Sequence, residues 1–259
     1  MLVDLHNHTT LCNHATGNMR GFVEKAISQG VKYFGFSDHA PMNFDMEYRM
    51  KLSEMRFYEN QVKLLKDEYA GKIEILLGYE VDFLDGFIES AVLNSKVDYF
   101  IGSVHFINKW GFDNPEYIKE YENKDIDLIW SDYFEAISNM AKSGLFDIVG
   151  HLDLLKVFKF LPKKDIKMLA LEAIKEIKKA NMVVELNVAG LRKPINEQYP
   201  SRELLELIFE HDIDITFGSD AHSIEQVGFM RNEIIDLAKS VGFDRCVVFK
   251  NRDKEYLKI

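Results

Sequence analysis

The chain has 259 residues, 47% of them hydrophobic and 29% charged, with a formal net charge of -10. That is enough chain for one large core, and the acidic balance disfavours a general nucleic-acid surface, which needs basic patches to displace counterions. No apolar run approaches the ~20 residues that span a bilayer, no signal-peptide pattern opens the chain, and two cysteines, Cys12 and Cys246, make no disulfide framework.

A cytoplasmic protein without membrane or nucleic-acid partners is therefore expected, as one domain over 1–259. The sequence carries no signal for oligomeric state. Strand-like and helix-like segments alternate along it. An apolar stretch, 2–6, ends in His6-Asn7-His8. Residues i and i+2 of a strand point to one side, so both imidazoles are expected together. A helix over 18–29 stops at Gly30, and a buried strand over 31–37 leads into Asp38-His39. An amphipathic helix over 53–69, capped by Ser53, precedes a strand over 72–78 that delivers Glu80.

A short helix at 87–94 leads to a strand over 99–104 and His105. Residues 108–124 read as a loop or lid. Helix 127–143 precedes strand 146–150, which delivers His151. Helix 164–180 precedes strand 182–187, and helix 201–211 precedes strand 214–218, which delivers Asp220 and His222. A last helix over 224–241 and a short strand at 246–249 complete the series.

About seven βα units in succession imply a parallel sheet covered by helices. No glycine-rich phosphate loop follows the first strand, as an open dinucleotide-binding sheet requires. The expected fold is α/β, a distorted (β/α)7 barrel of TIM type, with its site at the C-terminal strand ends.

Six of the eight histidines sit at those expected strand ends, with His14 in the first loop and His211 at a helix end. Random placement would put roughly a quarter there. Imidazoles with carboxylates suit zinc, iron or manganese. The set His6, His8, His14, His39, Glu80, His105, His151, Asp220 and His222 is too large for one ion, so two to three divalent metals are expected.

These motifs resemble the polymerase-and-histidinol-phosphatase (PHP) superfamily along the whole chain. His6-Asn7-His8 is similar to its first motif, Asp38-His39 to its second, His105 to its third and Asp220-Ala221-His222 to its fourth. His14, Glu80 and His151 match its remaining ligands. The resemblance implies one ion on His6, His8, Glu80 and Asp220, a second on Glu80, His105 and His151 with Glu80 bridging, and a third on His14, His39 and His222. It implies hydrolysis of a small-molecule phosphate ester, with Glu80, Asp220 and His222 catalytic and Asp220 or His222 moving the leaving-group proton.

Within the superfamily, the segments 37–41, 78–82, 102–106, 150–156 and 185–194 are most similar to monofunctional L-histidinol-phosphate phosphatases of histidine biosynthesis. The alternative is a PHP phosphoesterase of other specificity, such as a phosphotyrosine phosphatase or a nuclease. Arg192 is expected to grip the substrate phosphate through its two-pronged guanidinium, with Lys193 as a weaker candidate. Glu185, Asn187 and Asp153 are candidates for the substrate's imidazole and ammonium groups. Asp38 is expected to orient a ligand imidazole. Cys12 reads as a small buried residue, and Trp110 and Phe112 as either covers for the substrate or loop anchors.

Overall fold

The computed structural model describes residues 2–259. Strand β1 (Val3–Asp4) is followed by α1 (Met19–Ser28), β2 (Tyr33–His39), α2 (Met55–Glu68), β3 (Glu74–Asp82), α3 (Ser90–Leu93) and β4 (Tyr99–Ser103). Then come two short strands, β5 (Phe106–Ile107) and β6 (Trp110–Gly111), followed by α4 (Ile126–Lys142), β7 (Ile148–Val149) and α5 (Ile166–Lys179). The chain ends with β8 (Val183–Asn187), α6 (Arg202–Glu210), β9 (Ile215–Gly218), α7 (Arg231–Val241), β10 (Arg245–Lys250) and β11 (Asp253–Lys258).

Seven strands pair in the order β1-β2-β3-β4-β7-β8-β9, every pair parallel. The two edges then meet: Leu5 N–H donates to Phe217 O at 2.9 Å and His8 N–H to Ala221 O at 2.9 Å. The sheet thus closes into the expected (β/α)7 barrel. Its strands are buried on both faces, which is why they read as continuous apolar runs and not as alternating ones. Inside the barrel the Tyr99 ring needs Gly35 and Gly78, because a Cβ at either position would lie 1.9 or 2.5 Å from it.

Helix starts follow local chemistry. Asn18, Asp125, Asp165 and Ser201 each accept from a first-turn N–H of α1, α4, α5 and α6. Ser53 does not cap α2. It lies in a 3-10 turn, where the Glu54 carboxylate accepts from Lys51 N–H at 2.8 Å. The expected helix over 224–241 is divided into a 3-10 turn, Ile224–Gln226, and α7, because Gly228 and Met230 adopt positive φ. Segment 108–124 is more regular than a loop. It holds β6, paired antiparallel with β5 just before it, and a 3-10 helix, Pro115–Asn123.

The expected last strand is the first arm of a hairpin outside the barrel sheet. Arg252 N–H donates to Asp98 O at 2.8 Å, the Arg252 side chain pairs with Asp147 at 2.9 Å, and Lys254 pairs with Asp214 at 3.3 Å. Those acids precede β4, β7 and β9. The hairpin therefore covers the N-terminal end of the barrel and leaves the C-terminal end for chemistry. Among the described residues, no helix is long and apolar enough to cross a membrane.

Candidate metal centre

Glu80 stands near the end of β3 and is 1% exposed. Its two oxygens face different histidines. Oε2 lies 3.3 Å from His6 Nε2, 3.7 Å from His8 Nε2 and 3.0 Å from His39 Nδ1. Oε1 lies 2.9 Å from His151 Nε2 and 3.7 Å from His105 Nε2, and accepts from Ser103 Oγ at 2.7 Å. A carboxylate shared in this way has the geometry of a bridge between two cation positions. Asp220 approaches from β9, with Oδ1 3.2 Å from His8 Nε2 and 3.4 Å from His222 Nδ1.

Three groups of ligating atoms converge, each within 4.8 Å: His6, His8 and Glu80; Glu80, His105 and His151; and His14, His39 and His222. A fourth group joins Cys12 to His8 and His222, so the buried thiol is a soft donor beside the third group as well as a packing residue.

The chemistry of this donor set fits divalent cations. The Nε2 atoms of His6, His8 and His222 are buried, and among the described residues none makes a hydrogen bond of good geometry, although carboxylates stand close to the first two. Such orphans are costly unless a ligand satisfies them. Burial, reinforced by the neighbouring His8, pushes His39 down to about 4 despite Glu80, and burial with His8 also holds His222 well below its usual range. Both keep their lone pairs free at neutral pH. Burial opposes charge on His6, but Glu185, Glu80 and Asp220 outweigh it and raise its affinity for a proton. Burial likewise disfavours the Glu80 anion, yet His39 and His6 hold the carboxyl well below its ordinary range. The buried acids demand positive charge, which protons or metal ions supply.

Behind the imidazoles stand further carboxylates. Asp38 Oδ1 lies 3.3 Å from His8 Nδ1, Glu185 Oε1 2.7 Å from His6 Nδ1, and Asp82 Oδ1 2.5 Å from His105 Nδ1. Each fixes the ring orientation and leaves Nε2 for the cavity. Asp82 is also paired with buried Arg49, Nη1 to Oδ2, at 2.7 Å. His105 and Arg49 hold the Asp82 carboxyl far below its usual range against the effect of burial, while Asp82 outweighs burial to raise His105 to about 10. Asp4 serves the turn after β9, accepting from Ser219 N–H at 2.8 Å and Ser219 Oγ at 2.6 Å.

Three of these roles depart from the sequence expectations. Glu185 is not available to substrate. It is 1% exposed and accepts from His151 N–H at 3.1 Å as well as pairing with His6. Asn187 is spent as well: Nδ2 donates to Glu185 and Asp220 at 3.0 and 3.1 Å, and Oδ1 accepts from Ala189 N–H at 2.8 Å. Asp153 pairs with Lys156 at 2.9 Å and accepts from Ser201 N–H at 2.8 Å, tying two loops together. None of the three lines the cavity.

Asp82 carries a sequence signal, since it follows Glu80 at strand period in Gly78-Tyr79-Glu80-Val81-Asp82. Arg49 and Asp4 carry none that local pattern supplies.

A cavity of about 470 Å3 opens over the histidines, within the range of small-molecule sites. Arg192 and Lys193 line it, with Lys193 exposed at the rim. Arg192 Nη2 donates to the carbonyls of Ser219 and Asp220 at 2.8 and 2.9 Å, while Nη1 is buried without a partner among the described residues. Tyr199, 1% exposed, also lines the cavity, its hydroxyl unpartnered among the described residues. Trp110 and Phe112 do not line it. They are loop anchors, packed against Tyr121 and Tyr133 at ring separations of 4.6 and 5.4 Å. His211 closes α6, with Nδ1 2.9 Å from Leu207 O.

The chain is similar to known proteins along its whole length. A probable histidinol-phosphatase of Deinococcus radiodurans is 39% identical over 256 residues, covering 97% of both chains. A histidinol-phosphatase of Bacillus subtilis is 28% identical, over 87% of this chain and 95% of its own. The crystal structure of a histidinol phosphate phosphatase from Lactococcus lactis, complexed with zinc, L-histidinol and phosphate, superposes with a TM-score of 0.79 at 22% identity, covering 98% of each chain, and so shares the fold. Residues 4–189 match the PHP domain. With that match spanning most of the chain, and the barrel carrying its histidines at the C-terminal strand ends, the protein belongs to the PHP domain family.

Proposed function

We propose that this protein is a metal-dependent phosphomonoesterase that hydrolyses L-histidinol phosphate to L-histidinol and phosphate, a step of histidine biosynthesis. The observation that carries the reaction type is the division of Glu80 between two sets of imidazoles. The substrate follows from full-length similarity to the Deinococcus radiodurans and Bacillus subtilis proteins.

Two to three divalent ions, zinc, iron or manganese, belong at the three converging groups. His6, His8, Glu80 and Asp220 would hold the first, Glu80, His105 and His151 the second, and His14, His39 and His222 the third. When bound, such ions polarise the phosphoryl oxygens and make water acidic enough to attack near neutral pH.

The protein's own residues supply the rest. Arg192 Nη1 and the Tyr199 hydroxyl are unpartnered donors at the cavity wall, placed for non-metal oxygens of the phosphoryl group. Asp220 and His222 line the same cavity and are placed to carry the proton that the leaving alkoxide needs. The buried ring of carboxylates behind the histidines keeps the ligands preorganised. A net charge of -10 weighs against a nuclease.

The test is metal analysis with phosphate release from L-histidinol phosphate, p-nitrophenyl phosphate and oligonucleotides. A clear preference for L-histidinol phosphate is expected. Comparable weak turnover of all three would overturn the assignment.

A further inference from the structure

With Glu185, Asn187 and Asp153 engaged elsewhere, the charges that line the cavity can be taken one at a time. Arg49 is paired with Asp82 at 2.7 Å and Asp45 at 3.5 Å, and Asp82 is also held by His105. Asp220 accepts from Asn187 and faces His8. That leaves Asp113. It lines the cavity and is partly buried, yet among the described residues no cation pairs with it and no other side chain hydrogen-bonds to it. A half-buried carboxylate without a partner is expensive unless something arrives to pair with it.

Its support is rigid. Asp113 lies between β6 and the N-cap Asn114 of the 3-10 helix, in a segment anchored by the buried Trp110 and Phe112, and Tyr121 Oη donates to Phe112 O at 3.1 Å. The two cationic residues of the wall, Arg192 and Lys193, follow β8, two strands away. In the strand order, β7 with its ligand His151 lies between β8 and the β4 segment that leads to Asp113. The cavity is therefore polarised, with free cationic donors on one side, a free anion on the other and the metal-binding histidines between. A phosphate monoester that also bears a fixed cation matches this arrangement.

Building on the assignment of L-histidinol phosphate as substrate, we infer that Asp113 receives the substrate's ammonium group and is the residue that sets specificity for a cationic phosphomonoester. The ammonium is borne by the carbon next to the ester methylene, so it must lie close to the phosphoryl site. Asp113 lines the same cavity as His105 and His151, the histidines grouped with Glu80. The imidazole lies one carbon further out, toward the rim.

The experiment compares L-histidinol phosphate with its des-amino analogue, imidazolylpropyl phosphate, in wild type, Asp113→Asn and Asp113→Ser, with metal content measured for each. For both variants kcat/KM for the amino substrate should fall by on the order of 10- to 100-fold more than for the analogue, mainly through KM, at wild-type metal stoichiometry. Equal losses on the two substrates would overturn the inference, since a proton donor to the leaving group or a support for His105 acts on both alike. Retention of the wild-type preference in both variants would also overturn it. If wild type itself shows no preference for L-histidinol phosphate over p-nitrophenyl phosphate, the substrate assignment fails, and this inference with it.

Discussion

Replacing Gly218 with alanine adds one methyl group and no charge, yet it should dismantle the first metal position. A Cβ on Gly218 would lie 1.9 Å from Glu185 Oε1 and 2.6 Å from His6 Cβ. The carboxylate would have to retreat by about 1.5 Å to reach the 3.4 Å of ordinary contact. Glu185 Oε1 now stands 2.7 Å from His6 Nδ1, and a shift of that size breaks the bond.

Losing such a charge-assisted bond costs about 1.5–3 kcal/mol, and overpacking the strand end adds roughly 1–3 kcal/mol. With ~2–4 °C per kcal/mol for a chain of this size, Tm should fall by roughly 5–25 °C. Affinity for the ion on His6 should drop about 10- to 100-fold, as for other lost partners of ligand histidines. Titration against a competing chelator reads the affinity, and calorimetry of the metal-free protein reads the stability. Gly144→Ala is the control. Its φ is +67° with nothing within 4 Å of the new Cβ, so it should cost ~1 kcal/mol of backbone strain and leave metal binding alone. Wild-type metal affinity in Gly218→Ala would refute the claim that Glu185 must hold His6.

Arg49→Met leaves the buried Asp82 with His105 alone. It should destabilise the fold by up to about 3–5 kcal/mol and weaken metal binding at His105, which calorimetry and metal stoichiometry check. Arg192→Ala should lower kcat/KM about 10- to 100-fold at unchanged metal content; loss of metal instead would show that its bonds to the Ser219 and Asp220 carbonyls are its main work. Tyr199→Phe removes a buried hydroxyl that has no internal partner, so thermal stability should hold or rise while kcat/KM falls roughly 10-fold; unchanged kinetics would exclude a contact with the phosphoryl group. Chelator should abolish activity and lower Tm, since a ligand at 100 times its Kd contributes about 2.7 kcal/mol, and zinc, iron or manganese should restore both. An undiminished rate after exhaustive chelation would overturn metal dependence.

The barrel and its catalytic end were legible because both are local properties. Apolar runs of strand length alternate with amphipathic helices, and the period of two puts His6 beside His8 and Glu80 beside Asp82. The sequence pattern also marks every strand end that carries a histidine or carboxylate. It does not say which polar side chains at one strand end reach open space and which are consumed behind the ligands. Glu185 and Asn187 share a face of β8; its neighbour β9 brings Asp220 to Asn187, and only closure of β9 against β1 brings His6 to Glu185, turning apparent substrate contacts into supports. Arg49 reaches Asp82 across a gap of more than thirty residues, and the lone charge of Asp113 is defined by what fails to pair with it. Those facts depend on which distant groups meet, and the burial that makes an unpaired charge costly exists only once the barrel has closed.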